Sequence, residues 1–170
     1  GISALMKAAD IACYTAKDSG RNRVSVMSLD DEHMASQQGQ MEWHNRIQTA
    51  LQENLLFLEC QLITPTNRQS NGLRYEVLVR MRSAGGSVVP PSAFLPPAER
   101  YGMAARIDRW VIENVLENLS QVPEHLEALE ACHINLSGRS FDQADFADFV
   151  VDLFGHYQVP PDKIYFFFFF

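Results

Sequence analysis

Cysteine is scarce in this 170-residue chain: Cys13, Cys60 and Cys132 are the only three, and their spacing pairs none of them. A disulfide scaffold is thereby excluded, and the thiols read as reduced and mostly buried, as in a cytosolic protein. Long apolar runs are missing too. No stretch reaches the roughly 18 residues of a membrane-spanning helix, and Gly1 to Asp10 lacks the basic-then-apolar order of a targeting segment. This segment is therefore expected to make no membrane contact and to lie in the cytoplasm. The first residue is not Met, so the chain reads as a piece of a longer parent whose membrane or sensor segments would lie elsewhere. Basic residues are outnumbered, 14 Lys and Arg against 21 Asp and Glu, and the net charge of −7 argues against a general phosphate-gripping surface and against DNA or RNA as partners. Any nucleotide would have to be held in a local pocket. What is present is globular: 46% apolar and 11% aromatic residues, one ordinary domain's worth of chain with enough length to bury a core.

Three zones follow one another. Ile2 to Leu29 opens with Leu5, Ala8, Ala9, Ala12, Cys13 and Ala16 at helical spacing, then turns at Gly20-Arg21-Asn22-Arg23 into the short strand Val24 to Met27. So short a piece cannot be a domain and reads as the end of one. Lys17, Arg21, Asn22 and Arg23 read as a helix C-terminus and solvated turn. Asp30 to Asn54 is polar until Trp43, then carries Ile47, Ala50 and Leu51 on one stripe, a mostly exposed linker helix entering the next unit. Leu55 to Phe170 alternates strand and helix patterns. Strands are predicted over 55–63, 73–81, 132–137 and 163–170, and helices around 96–101, 107–119 and 144–157. That order implies parallel strands joined by crossover helices, an α/β architecture, and four strands are half of a closed (β/α)8 barrel of about 250 residues.

One strand carries charge where a buried parallel strand should not. In Leu73 to Met81 one face holds Tyr75, Val77, Val79 and Met81, the other Arg74, Glu76, Leu78 and Arg80. A buried, unpaired carboxylate or guanidinium costs several kcal/mol, so Glu76 and Arg80 either pair with neighbouring strands or form a site. In a site the carboxylate would coordinate a divalent cation and the arginine would contact a phosphate. Gln61 shares a face with Glu59 on the preceding strand, and Asn135 sits inside the apolar Ile134-Asn135-Leu136 as a core hydrogen-bonder or an oxygen ligand. Carboxylate, arginine, amide and glutamine on successive strands would converge at one barrel mouth. The five histidines show no metal spacing. The loop from Ser83 to Pro97 is read as either a plain connection or a flap able to close over a ligand.

Leu58-Glu-Cys-Gln-Leu-Ile63, Tyr75-Glu-Val-Leu-Val-Arg80, Pro91-Ser-Ala-Phe-Leu-Pro-Pro-Ala-Glu-Arg100, Ile107-Asp-Arg-Trp-Val-Ile112 and Ile134-Asn-Leu-Ser-Gly138 resemble, in order, the motifs of EAL domains, the bacterial cyclic di-GMP phosphodiesterases. Ala9 to Val24 is similar to the C-terminal end of a GGDEF, or diguanylate cyclase, domain. The resemblance implies a GGDEF remnant at 1–29, a linker helix at 30–41 and the N-terminal half of an EAL-type (β/α)8 barrel at 42–170, its first strand antiparallel. It further implies two Mg²⁺ or Mn²⁺ ions at the mouth and hydrolysis of cyclic di-GMP to linear pGpG by a parent able to form a homodimer. Glu76 and Asn135 match the family's catalytic metal ligands, Arg80 its phosphate-contacting arginine, Leu78 a guanine contact and Gln61 a site-lining glutamine. Val77, where the family motif has Ala, points to the other face.

Two departures bear on activity. Phe167 stands where the family's fourth strand carries an acidic metal ligand, and a phenyl ring cannot ligate a hard cation. The family's later Asp-Asp pair, Lys, Glu and Gln have no counterparts in the chain, and the Phe166 to Phe170 run reads as a truncation or sequence-end artefact. The fragment is expected not to turn over substrate. The rival expectation is a degenerate EAL domain acting as a non-catalytic cyclic di-GMP receptor or scaffold.

Overall fold

The computed structural model describes residues 29–64, 66 and 72–169, together with Met6, Ala9, Ala12, Cys13, Ala16 and Val24. Most of the segment expected to end an upstream domain, including Lys17 and Arg21 to Arg23, lies outside the described residues. The chain divides into two compact units, residues 1–45 and 46–170. In the first, Met6, Ala9, Ala12, Cys13 and Ala16 are helical, and helix α1 (Leu29–Gln52) begins.

The second unit opens with the rest of α1, whose Ile47 and Ala50 are buried as the apolar stripe requires. Asn54 ends the helix in the left-handed region (φ 55°), which lets the Leu55 N–H reach back to the Ala50 carbonyl at 2.9 Å. Then come β1 (Leu56–Leu62), β2 (Leu73–Arg82), β3 (Val88–Val89), α2 (Pro91–Arg100), α3 (Ala104–Gln121) and α4 (Pro123–Ala128). They are followed by β4 (Leu129–Ser137), a 3₁₀ turn (Gly138–Ser140), α5 (Phe146–Tyr157), a second 3₁₀ turn (Pro161–Lys163) and β5 (Ile164–Phe169). The sheet order is β1-β2-β4-β5, with β3 paired to the end of β2. β1 runs antiparallel to β2, whereas β2, β4 and β5 are parallel, each pair joined through helices. The Phe run continues β5 in register with β4, Phe167 opposite Asn135.

The two faces of the sheet differ as the alternation in β2 demands. Tyr75, Val77 and Met81 are buried on the helix side, with Cys132, Ile134 and Leu136 of β4. Ile107, Val111, Ile112, Val115, Leu116 and Leu119 of α3 and Phe94 and Ala98 of α2 complete that core. The other face carries polar and aromatic side chains that are exposed or partly so. A bulge at the start of β4 leaves Glu130 unmatched between the Leu73–Leu129 and Arg74–Ala131 pairs, and Arg74 binds its carboxylate at 2.5 Å. A side chain at Gly72 would collide with Glu130, so the close approach requires glycine. Lys163 anchors the approach to β5 by donating to the carbonyls of Leu126 (2.5 Å) and Leu129 (2.9 Å).

Several expectations need correction. Cys13 and Cys60 are exposed and only Cys132 is buried, because Cys60 lies where β1 forms the end of the sheet order. The helix expected around 96–101 begins at Pro91, a favoured first helical position, with Pro96 and Pro97 inside it. Ser83 to Pro97, expected as a loop, holds regular structure: Ser83 N–H bonds the Ser87 carbonyl at 2.8 Å to close a hairpin into β3, and α2 follows. The short helix α4, opened by Pro123, has too few residues to show a period.

Ile112 is fully buried in α3. Ile112→Ala is expected to lower the unfolding free energy by about 2–5 kcal/mol, read from urea melts. A change within about 0.5 kcal/mol, the range of a surface substitution, would contradict this core.

Candidate functional site

The polar face of the sheet is built by β-strand parity. Glu76 and Arg80 of β2 and His133 and Asn135 of β4 alternate with buried residues, and Glu59 and Gln61 of β1 stand opposite Leu78 and Glu76, so all project to the same side. Asn135 Nδ2 donates to Glu76 Oε1, which joins β2 to β4 across the polar face. Among the described residues no Lys or Arg pairs with Glu76. Arg80 is held instead by β1, its Nε donating to Glu59 Oε2 at 2.8 Å. Of the two alternatives for the charged face, Arg80 thus has a partner on the neighbouring strand, while Glu76 meets an amide. Gln61 is exposed and sits opposite Glu76 in the β1–β2 register.

Two cavities open beside this cluster and share Asn135. The first, about 260 Å³, is lined by Ile63, Glu76, His133, Asn135 and Phe167. The second, also about 260 Å³, lies mainly between the sheet and helices α2 and α3, with Val77, Leu95, Ala104, Ile107, Val111 and Leu136 in its wall beside Leu78, Arg80, Asp108 and Asn135. It opens where β2 and β4 stop pairing after Val77 and Ile134, while β1 stays paired along the other edge of β2 and β3 takes up Met81 and Arg82. The structure therefore brings Glu76 and Asn135 into contact and places Leu78 and Arg80 around the adjoining cavity. Gln61 shares the face without lining either.

Asp108 went unmarked in the sequence reading. It lies in α3 on the stripe of Ile107, Val111 and Ile112, 7% exposed. Its Oδ2 accepts the Ser137 backbone N–H at 2.8 Å and the Ser140 hydroxyl at 2.5 Å, pinning the turn that follows Asn135 to the helix. The available signal was an acidic residue inside an apolar helical stripe. His133, also missed, shares Asn135's strand parity and stacks on Tyr165 and Phe167, with centroids 5.3 Å apart in each case.

Among the described residues, the oxygen donors lining the first cavity are Glu76 and Asn135. Among the described residues no three His, Cys, Asp or Glu side chains are placed to hold a metal ion. Phe167, which offers no oxygen donor, lies across from Asn135. Mg²⁺ and Mn²⁺ require a near-octahedral oxygen shell, so the residues present do not fit a two-metal centre.

A family model described as the EAL domain matches residues 44–168. The cyclic di-GMP phosphodiesterase PdeB of Shewanella oneidensis is 31% identical over 162 residues, 95% of this chain and 19% of its own length. The cyclic di-GMP phosphodiesterase PdeF of Escherichia coli is 38% identical over 119 residues, 68% of this chain and 15% of its own. The chain thus spans a fifth or less of these curated relatives. Among solved structures, the FimX EAL domain from Pseudomonas aeruginosa bound to c-di-GMP superposes with a TM-score of 0.64 at 29% identity, over 72% of this chain and 48% of that one.

Burial raises the Asp108 pKa to about 6 against the ordinary 3.8, and the two serine hydrogen bonds only partly offset it. The folded state holds this proton more tightly than the unfolded chain. Asp108 therefore favours folding when protonated, and that contribution falls away as pH rises from about 4 through 6, by on the order of 3 kcal/mol. Asp108→Asn should flatten this part of the stability–pH curve. Urea unfolding of both proteins between pH 4 and pH 7 checks it; a stability difference that does not change with pH would contradict it.

Proposed function

The chain belongs to the EAL-domain family, and from that membership we propose that its polar sheet face binds cyclic di-GMP. The observation that carries this reading is the contact of Glu76 with Asn135 beside two cavities, one of which reaches Leu78 and Arg80. Arg80 supplies a guanidinium on this face for a phosphate, at the cost of its bond to Glu59. Leu78 offers an apolar wall for a base and Gln61 a neutral hydrogen-bonding group at the rim. We assign 1–29 to the end of a GGDEF domain, 30–41 to a linker helix and 42–170 to the N-terminal half of an EAL barrel.

In a parent as long as the relatives, the reading is hydrolysis of cyclic di-GMP to linear pGpG with two Mg²⁺ or Mn²⁺ ions, Glu76 and Asn135 being this chain's contribution to their ligands. Such a parent would act in the cytoplasm and could pair as a homodimer. For the 170 residues by themselves the receptor reading is favoured, because Phe167 faces Asn135 across the β4–β5 pair. With Glu76 and Asn135 the oxygen donors of the cavity wall and a phenyl ring at 167, the chain binds the dinucleotide and does not cut it.

Calorimetric titration with cyclic di-GMP, paired with chromatography for pGpG after incubation with Mg²⁺ or Mn²⁺, tests both parts. Binding without pGpG is expected. Arg80→Ala should weaken the binding by about 10–100-fold, as loss of a charge-assisted contact worth about 1.5–3 kcal/mol does. Absence of binding would overturn the ligand; metal-dependent pGpG would overturn the lack of turnover.

A further inference from the structure

Behind β2, on the helix side of the sheet, lies a cavity of about 530 Å³, about twice the volume of either cavity described above. It opens where the apolar layer thins toward β1, the end of the sheet order. Tyr75 and Val77 of β2 are 4% exposed each, whereas Leu58 of β1 is half-buried and Cys60 exposed. Leu58, Val77, Val115 and Leu119 give the cavity apolar walls, and Tyr75 and Trp110 add ring surface.

Its polar groups are neutral. No Lys, Arg, Asp or Glu is among the described residues that line it. Burial raises the Tyr75 hydroxyl and the Cys60 thiol above their ordinary pKa values, so both keep their protons at neutral pH. The remaining titratable group of the wall, His125, is already engaged by Tyr75, whose hydroxyl meets its Nε2 at 3.0 Å. A phosphate would enter this wall with no fixed counter-charge, and a divalent cation with no carboxylate to receive it. Two carboxamides stand one turn apart on α3. Asn114 Nδ2 donates to the Trp110 carbonyl at 2.8 Å, and Asn118 Nδ2 to the Asn114 carbonyl at 2.6 Å. Their own helix thus orients both amides, and each keeps an oxygen that can accept from a ligand.

A flat, uncharged molecule with a donor on its edge matches this wall. We propose that the cavity is a second binding site, for an uncharged aromatic ring system carrying an N–H or O–H donor. The ring lies between the side chains of β1 and β2 and those of α3, and its donor meets the oxygen of Asn114 or Asn118. The volume falls in the range of small-molecule sites, about 300–1,000 Å³. Strand alternation sets this site back to back with the face proposed for cyclic di-GMP, since Tyr75 and Val77 flank Glu76 and project to the other side. The two sites select opposite chemistries: one has a guanidinium for phosphate, the other excludes charge.

The full chain, labelled with nitrogen-15, is titrated with indole, with N-methylindole and with indoleacetate as probes. Indole is expected to move the Asn114 and Asn118 side-chain amides and the His125 ring signals, and to leave the Asn135 amide and Arg80 Nε in place. N-methylindole, which lacks the donor, should bind about threefold to tenfold more weakly, the loss of one neutral hydrogen bond. Indoleacetate keeps the donor and adds a charge, and should bind at least about tenfold more weakly than indole. The double substitution Asn114→Ala with Asn118→Ala should bring indole and N-methylindole to within about twofold of each other, with an unchanged circular dichroism spectrum. Leu58→Trp, at a half-buried edge position, fills the cavity and should abolish the indole response. No movement with indole at about millimolar concentration would overturn the inference. So would movement of Asn135 and Arg80 in place of His125, equal binding of all three probes, or a preference for indole that survives the double substitution.

Discussion

Parallel pairing of β2 with β4, from Leu73–Leu129 to Val77–Ile134, is the constraint on which the rest of the second unit depends. Because strand side chains alternate, one register decision places Tyr75, Val77, Cys132 and Ile134 under the helices and Glu76, His133 and Asn135 on the opposite face. A slip of one residue would drive the Glu76 carboxylate into the apolar layer, a cost of several kcal/mol that fixes the register from both sides. The bulge at Glu130 and the glycine at 72 allow the strand to enter that register. Its end after Val77 and Ile134 opens the second cavity, and Asp108 then holds the turn beyond Asn135 to α3.

What was legible in the sequence was whatever alternation or period could write. Charge at Glu76 and Arg80 against apolar Tyr75 and Val77 announced a two-faced strand, and the α3 stripe announced a buried helix. Residues whose role depends on a partner far along the chain were not legible. Asp108 reads as a surface acid until Ser137 and Ser140, about thirty residues on, supply its hydrogen bonds. Arg80 could be a phosphate contact or half of an ion pair, and only the β1 register brings Glu59 within 2.8 Å of it. Helices opened by Pro91 and Pro123 were blurred because proline both starts a helix and signals a break.

The polar face combines a hydrogen-bonded carboxylate–amide pair with an aromatic neighbour. Glu76 and Asn135 meet across β2 and β4, and Phe167, opposite Asn135, adds ring surface to the same wall. Hydrogen-bonding edges and stacking faces suit a base; a dense set of acids suits a cation. The balance between the two chemistries on one small face separates a site that grips a nucleotide from one that cleaves it.

The central claim is that cyclic di-GMP binds around Glu76, Asn135 and Arg80 and not beside Tyr75 and His125. Nitrogen-15 NMR of the full chain during cyclic di-GMP titration tests this most directly. The account predicts movement of the Asn135 side-chain amide and Arg80 Nε resonances, with the His125 ring signals, bonded to Tyr75 on the opposite face, unmoved. Movement of His125 with Asn135 and Arg80 unaffected would contradict it.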